Sequence, residues 1–344
     1  MLERIAKIEK LIFTDEWEMY FENPIQDYYN ITKEKIRLII SSKRLGFLRH
    51  VPDNYTPKWV IWYWLIRWYN CQWRCHYCYL QSYFKSPDMV KFFNIEDYLN
   101  FLEKFLEEFF KKYPNKKIIL YDWDFQDSLG LVYLKKNIYF LEKILQVIKK
   151  WDDKVKLEIR TKQIVKEIPE DWNQMISEDC ENKGFERLYG KIFKKNYINN
   201  LIVAITFSPQ AIITKYEWWT SDLKTRIDFA RYVQKKWFKV WIRIDPVILD
   251  DKNDIYKNVN LYLNLIDKLK ANLNLDLVED RSIWLLRLKK NLYKKYKYTD
   301  LVNNLTDYEK WFYRYPESIR KKVYKTLLEK IDWKSYICMD DLLI

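Results

Sequence analysis

Three cysteines crowd one short stretch, Asn70-Cys71-Gln72-Trp73-Arg74-Cys75-His76-Tyr77-Cys78-Tyr79-Leu80-Gln81, at C-x3-C-x2-C spacing. Soft thiolates suit iron–sulfur ligation, and three ligands offered to a [4Fe-4S] cluster leave one iron open. An open iron can bind the amino and carboxylate groups of S-adenosylmethionine. An electron from the cluster then cleaves the sulfonium and yields a 5′-deoxyadenosyl radical. Two other readings of the thiols stand beside this one, a zinc knuckle completed by His50 or His76 and a redox-inert loop. His50 and His76 are the only histidines, so the composition speaks against multi-histidine metal sites and most histidine-base mechanisms. Five cysteines, an odd number, argue against a disulfide framework.

The cysteines follow directly on Trp59–Arg67, a run with the apolar and aromatic content of a strand. Strand-like runs recur at Lys116–Tyr121, Lys154–Thr161, Leu201–Phe207, Phe238–Asp245 and roughly Ser282–Leu288. Helical patterns fall between them at Ile95–Tyr113, Tyr133–Lys150, Ser221–Lys236 and Ile255–Ala271. In the first of these, Tyr98, Leu99, Leu102, Phe105, Leu106 and Phe109 make the stripe of a core-facing helix. Strand–helix repetition predicts right-handed crossovers around a parallel sheet. Six strands predict an α/β fold, a partial (β/α)6 parallel barrel with its chemistry at the C-terminal strand ends. Residues 1–55 are expected to form an N-terminal extension, 56–290 the barrel, and 291–344 a basic C-terminal region that closes it. Both additions are expected to be helical.

With 49% apolar residues, the 344-residue chain can bury a sizeable core, which excludes a disordered tail. The apolar run Val60 to Ile66 is far short of the roughly 18 residues that a spanning helix needs. The start, MLERIAKIEK, lacks a signal peptide's apolar segment, and the chain is expected to be cytoplasmic. Sixty-one basic against 48 acidic residues give +13, which fits a polyanionic partner or a solvated basic surface.

Glycine and tryptophan are out of proportion. There are four glycines, where about 7% is usual, and 16 tryptophans. Trp237 stands between a helix and a strand, where a left-handed cap favours glycine. Trp218-Trp219 fills a polar turn, Trp123 ends a strand at a loop, and Trp73 lies inside the tight cysteine loop. These positions suggest UGA codons that the organism decodes as glycine. The alternative is an aromatic-rich protein from an AT-rich genome.

The segment CHYCYLQ resembles the spore photoproduct lyase family of radical S-adenosylmethionine enzymes, which reverse a thymine–thymine lesion in DNA. The resemblance extends through Trp123-Asp124-Phe125-Gln126-Asp127-Ser128-Leu129, Arg160-Thr161-Lys162, Phe207-Ser208-Pro209, Glu217-Trp218-Trp219-Thr220-Ser221 and Arg243-Ile244-Asp245-Pro246. It ends with Tyr313-Arg314-Tyr315-Pro316 and Cys338-Met339-Asp340, so it covers roughly residues 60 to 340. It implies a barrel of the radical S-adenosylmethionine type, with Cys71, Cys75 and Cys78 as cluster ligands. It also implies that Asp127, Ser128, Lys162 and Thr206 contact S-adenosylmethionine and that Tyr77 and Tyr79 relay the radical. Arg314 and Tyr315 match the nucleic-acid-facing segment. DNA is the implied substrate, and an external electron donor such as flavodoxin or ferredoxin is implied as partner. One departure bears on the substrate. The family's hydrogen-donor cysteine has no counterpart from Tyr121 to Asp127, where Asp124 or Phe125 takes its place, and Cys180 and Cys338 lie elsewhere. Two alternatives therefore remain: the same chemistry on RNA, a peptide or a small molecule, and a non-catalytic nucleic-acid-binding protein with a structural metal or cluster.

Overall fold

The computed structural model describes residues 7–13, 35–41, 47–52, 60–71, 73, 75–84, 86, 88–92, 94–122, 125–130, 135–166, 184–331 and 336–337. Six parallel strands neighbour one another in chain order: β1 (Val60–Leu65), β2 (Lys117–Tyr121), β3 (Val155–Thr161), β4 (Leu201–Thr206), β5 (Val240–Val247) and β6 (Val278–Leu285). Leu48–His50 pairs antiparallel outside β1, and Tyr336–Ile337 pairs parallel outside β6. The sheet thus keeps two edges and is the partial barrel that six strands predict.

The expected helices form at Ile95–Lys112, Lys135–Ile148, Leu223–Lys235 and Ile255–Asn272. Local chemistry sets their starts. Asn94 accepts from the Asp97 amide at 3.2 Å, Asp222 from that of Thr225 at 2.7 Å, and Asp254 from that of Tyr256 at 2.9 Å. Tyr98, Leu102, Leu106 and Phe109 form the buried stripe of the first helix.

Two strand starts move by more than one residue. The expected Phe238–Asp245 strand becomes Val240–Val247, because Trp237 and Phe238 donate their amides back to Gln234 and Val233 and so belong to the helix end. The last barrel strand begins at Val278 rather than near Ser282. Its first residues include Glu279, Asp280 and Arg281, whose charges hide a strand from an apolar pattern.

Strand alternation divides the barrel side chains into two faces. Leu157, Ile159, Val203, Ile205, Val240, Ile242 and Ile244 are buried in the main core with the helices. Trp62, Ile119, Tyr121, Ile202, Ala204 and Trp241 form a second apolar cluster on the other face, inside the barrel. Toward the C-terminal strand ends that inner face becomes charged, with Glu158, Arg160, Arg243 and Asp245.

Among the described residues the additions carry strands as well as helices. Lys7–Phe13 and Lys35–Ser41 are parallel strands of a four-stranded sheet completed by Met89–Phe92 and Trp68–Tyr69. That sheet therefore grips the two residues that lead into the cysteine loop. At the other end, Arg287–Lys289, Phe312–Arg314 and Asp307–Glu309 form an antiparallel sheet beside the helices Lys290–Lys295 and Glu317–Ile331.

Candidate active site

A buried network fixes the entry to the cysteine loop at the C-terminal end of β1. Arg67 is fully buried and donates to both Asp122 carboxylate oxygens, at 2.6 and 2.5 Å, and to the Ser128 carbonyl at 2.9 Å. Gln126 accepts from the Trp68 amide at 3.0 Å and donates to Asp122 at 2.8 Å. The chain then turns at Asn70, whose φ of 72° is left-handed, a conformation asparagine tolerates. Its side chain donates to the Ser86 and Asp88 carbonyls at 2.8 and 2.9 Å and accepts from the Cys71 amide at 2.8 Å. Gln81 donates to the Cys75 carbonyl at 2.7 Å, and the Cys78 amide reaches that same carbonyl at 3.0 Å. The three thiols form no disulfide; Cys75 is buried, and Cys71 and Cys78 are half-buried. Burial pushes the Cys75 thiol up to about 12, against the pull of the Lys162 charge. Trp73 packs into the same loop with its indole Nε1 buried and without a hydrogen-bond partner. A Cβ on Gly130 would come within 3.3 Å of that nitrogen, so glycine lets the indole approach.

Facing the loop is a polar wall. Tyr77 donates its phenolic proton to Glu217 and accepts from Lys162 Nζ at 2.5 Å. Lys162 also donates to the Asp245 carbonyl at 3.1 Å and lies 3.7 Å from Glu217. Glu217 is fully buried and further accepts from Ser208 at 2.8 Å and from Arg226 at 2.6 Å. Burial alone would raise the Glu217 carboxyl, but the Lys162 and Arg226 charges outweigh it and hold it down to about 2. The same burial, with Glu217 beside it, drives Tyr77 well above an ordinary phenol, so its proton stays in place.

Asp127 accepts from Thr161 Oγ1 at 2.7 Å and from the Lys162 and Leu129 amides at 2.8 and 3.0 Å. Burial pushes it up to about 6 despite those donors. Ser128 donates to the Asp122 carbonyl at 2.6 Å and accepts from the Arg160 amide at 2.9 Å. Both side chains thus brace the loop after β2 against the end of β3. Thr206 Oγ1 donates to Asp245 at 3.3 Å, and the Thr206 carbonyl accepts from Arg226 at 2.8 Å. The structure therefore draws Tyr77, Lys162, Thr206 and the Asp127 loop to one end of the barrel, beside the cysteines. Glu217, Ser208 and Arg226 tie them together; Ser208 and Glu217 lie in segments that carry the resemblance, but the sequence assigns none of the three a role in the site. All are common residue types, and no spacing links them.

Other sequence-based sites fare differently. Tyr79 is half-buried, its ring 6.4 Å from that of Tyr83. Tyr315 is fully buried, and its hydroxyl accepts from the Leu249 amide at 2.8 Å. Arg314 is buried and donates to Glu309 at 2.8 Å. A ring enclosed in the core cannot stack on a base, so Tyr315 is a structural residue. Phe125, one of the two residues at the place of the missing cysteine, is buried among Tyr69, Tyr83 and Phe84 with ring centroids 5.3 to 6.2 Å away. Asp124, Trp123, Cys180 and Cys338 lie outside the described residues. Among the described residues no three His, Cys, Asp or Glu side chains gather around a point for a single metal ion.

No protein-family model matches the chain, and no curated protein matches it. Solved structures do. A cysteine-to-alanine mutant of spore photoproduct lyase with dinucleoside spore photoproduct superposes with a TM-score of 0.69 over 97% of this chain and 98% of that one, at 15% identity. The chain has the fold of spore photoproduct lyase. The lyase complexed with dinucleoside spore photoproduct gives 0.64 over 96% of this chain, at 16% identity. A double mutant of the lyase with bound AdoMet and the same dinucleoside gives 0.65 over 96%. The lyase fold is thus present nearly end to end. No helix among the described residues is long and apolar enough to cross a membrane.

Proposed function

We propose that this chain is a radical S-adenosylmethionine enzyme of the spore photoproduct lyase kind, acting on DNA. The observation that carries the reading is the loop of three cysteines at the end of β1, faced by the Tyr77–Lys162–Glu217 wall, within the lyase fold. The donor set fits the group: three soft sulfur ligands, with no histidine among them, suit an iron–sulfur cluster that keeps one iron open. Cys71, Cys75 and Cys78 would hold it, and Asn70 and Gln81 fix the backbone that carries them. The cluster, with S-adenosylmethionine, supplies the one-electron sulfonium cleavage that makes a 5′-deoxyadenosyl radical, the electron coming from an external donor such as flavodoxin or ferredoxin.

The chain's own part is placement and charge. Lys162 offers the barrel mouth a cation, and its neighbour Glu217 keeps that cation and the Tyr77 hydroxyl fixed in direction. Ser128 and Asp127 hold the loop that approaches the cofactor, and Thr206 orders Asp245. Tyr77 keeps its proton through burial, as a group that gives up a hydrogen atom rather than a proton must.

The absence of a cysteine from Tyr121 to Asp127 supports a second reading, in which the same radical chemistry serves an RNA, a peptide or a small molecule; Phe125 there sits among aromatic rings. One experiment separates them. The reconstituted, reduced protein is given S-adenosylmethionine with UV-irradiated or undamaged DNA, and 5′-deoxyadenosine and restored thymine are quantified. Thymine restored only from irradiated DNA establishes the lyase. Deoxyadenosine without repair supports the second reading. No cleavage by cluster-loaded protein refutes both and leaves a binding protein.

A further inference from the structure

Between Asp280 and Asp300 the chain carries Arg281, Arg287, Lys289, Lys290, Lys294, Lys295 and Lys297 and no acidic residue. The structure shows where this run lies. The helix Lys290–Lys295 abuts the cysteine loop: Lys295 and Tyr296 both donate to Gln81, at 2.9 and 3.1 Å, and the Tyr296 ring stacks on His76 at 5.3 Å. Lys290, Lys294 and Lys297 are exposed, and Tyr298 beside them is 93% exposed. Elsewhere on the surface some exposed lysines meet acids, as in Lys104–Glu108, Lys224–Asp228, Lys321–Glu317 and Lys330–Asp267; what sets this run apart is that seven basic residues follow one another with no acid among them. Among the described residues no acid pairs with Lys290, Lys294 or Lys297. A concentration of uncompensated cations costs self-repulsion, which a polyanion relieves.

We infer that Lys290, Lys294 and Lys297, with Tyr298, form the surface on which the DNA backbone docks at the barrel mouth. This rests on the DNA reading above and replaces the buried Arg314–Tyr315 segment as the docking surface. The cations would meet successive phosphates, and the exposed Tyr298 ring supplies a face for an unstacked base.

The test uses full-length reconstituted protein and a fluorescent DNA duplex. A patch variant carries Lys290→Glu, Lys294→Glu and Lys297→Glu; a control of equal net charge carries Lys104→Glu, Lys321→Glu and Lys330→Glu. The patch variant should bind at least about tenfold more weakly, and its salt slope should fall by roughly two to three, at about 0.9 for each phosphate that is no longer neutralised. The control should change far less, and iron content should be the same in all three. Equal weakening in both variants, or an unchanged slope in the patch variant, would overturn the assignment. Absence of DNA binding by the unaltered protein would overturn it together with the DNA reading, whereas a patch variant that binds normally overturns the patch alone.

Backbone geometry carries a second inference independently. The helix Leu223–Lys235 closes with the Trp237 amide on the Gln234 carbonyl at 2.8 Å and the Phe238 amide on Val233 at 3.3 Å, with Trp237 left-handed at φ 66°. This is the glycine-ended helix cap, yet the indole is 70% exposed and packs little. The hairpin pairing Glu309 with Phe312 leaves a two-residue loop, Lys310-Trp311, with φ of 47° and 76°. Such a loop calls for Asn-Gly or Asp-Gly, and the Trp311 ring is 81% exposed. We infer that positions 237 and 311 are glycine in the protein as its own organism makes it, through UGA codons. Peptide masses of natively produced protein and the gene's codons test this: glycine masses with TGA codons are expected, and TGG at both positions overturns it.

Discussion

Replacing Glu217 by glutamine removes the one anion among Lys162, Arg226, Tyr77 and Ser208 with little change in volume. In the folded chain its carboxyl sits at about 2 against an ordinary 4.5. That difference is worth about 3 kcal/mol at about 1.4 kcal/mol per unit, the same order as the roughly 3–5 kcal/mol cost of removing one partner of a buried pair. With about 2.1 cal/mol/K of unfolding entropy per residue, a chain of 344 residues should drop by about 4 °C in Tm. The pH dependence gives a second check. Because the folded pKa is depressed, the stabilisation is complete above about 4.5 and disappears as pH falls toward 2. The gap between Glu217→Gln and the unaltered protein should therefore be full at pH 6 and shrink below pH 4.5. Thermal unfolding followed by circular dichroism across that range measures it. A variant within about 1 °C of the parent, or a gap that stays constant with pH, would refute the account of Glu217 as the buried counter-charge.

Cys75→Ala should abolish iron–sulfur incorporation, read as iron and sulfide per chain and as loss of the cluster's visible absorption, while Cys180→Ala should leave both intact. Tyr315→Phe should cost about 1 kcal/mol of stability, for one hydrogen bond to Leu249 removed, and leave DNA affinity unchanged; a large drop in affinity would return Tyr315 to the interface. Arg67→Lys should cost about 2–3 kcal/mol, because a lysine cannot span both Asp122 oxygens, and should lower cluster content in proportion. Full cluster loading in a destabilised Arg67→Lys protein would show that the entry network does not order the loop.

The barrel was legible in the sequence because its signals are local. Apolar runs of strand length alternate with amphipathic stretches, and Asn94, Asp222 and Asp254 cap the helices they precede. The thiol loop was legible too, since three ligands within eight residues need no fold to bring them together. The glycine-like role of Trp237 could be suspected from its place between helix and strand. Trp311 could not, because only the pairing of Glu309 with Phe312 reveals a two-residue turn.

What the sequence could not decide depends on contacts between distant segments. Glu217 and Tyr77 are 140 residues apart, and only the folding of the barrel brings them within a hydrogen bond of each other. Arg314 and Tyr315 have the residue types of a nucleic-acid contact, but burial of Tyr315 against Leu249 makes the ring part of the core. Conversely, the lysines of residues 290–297 read as an ordinary charged run until Gln81 and His76 place that helix at the cysteine loop. Side-chain type sets what a residue can do. Solvent exposure and the neighbours supplied by remote strands decide what it does, and both are properties of the folded chain alone.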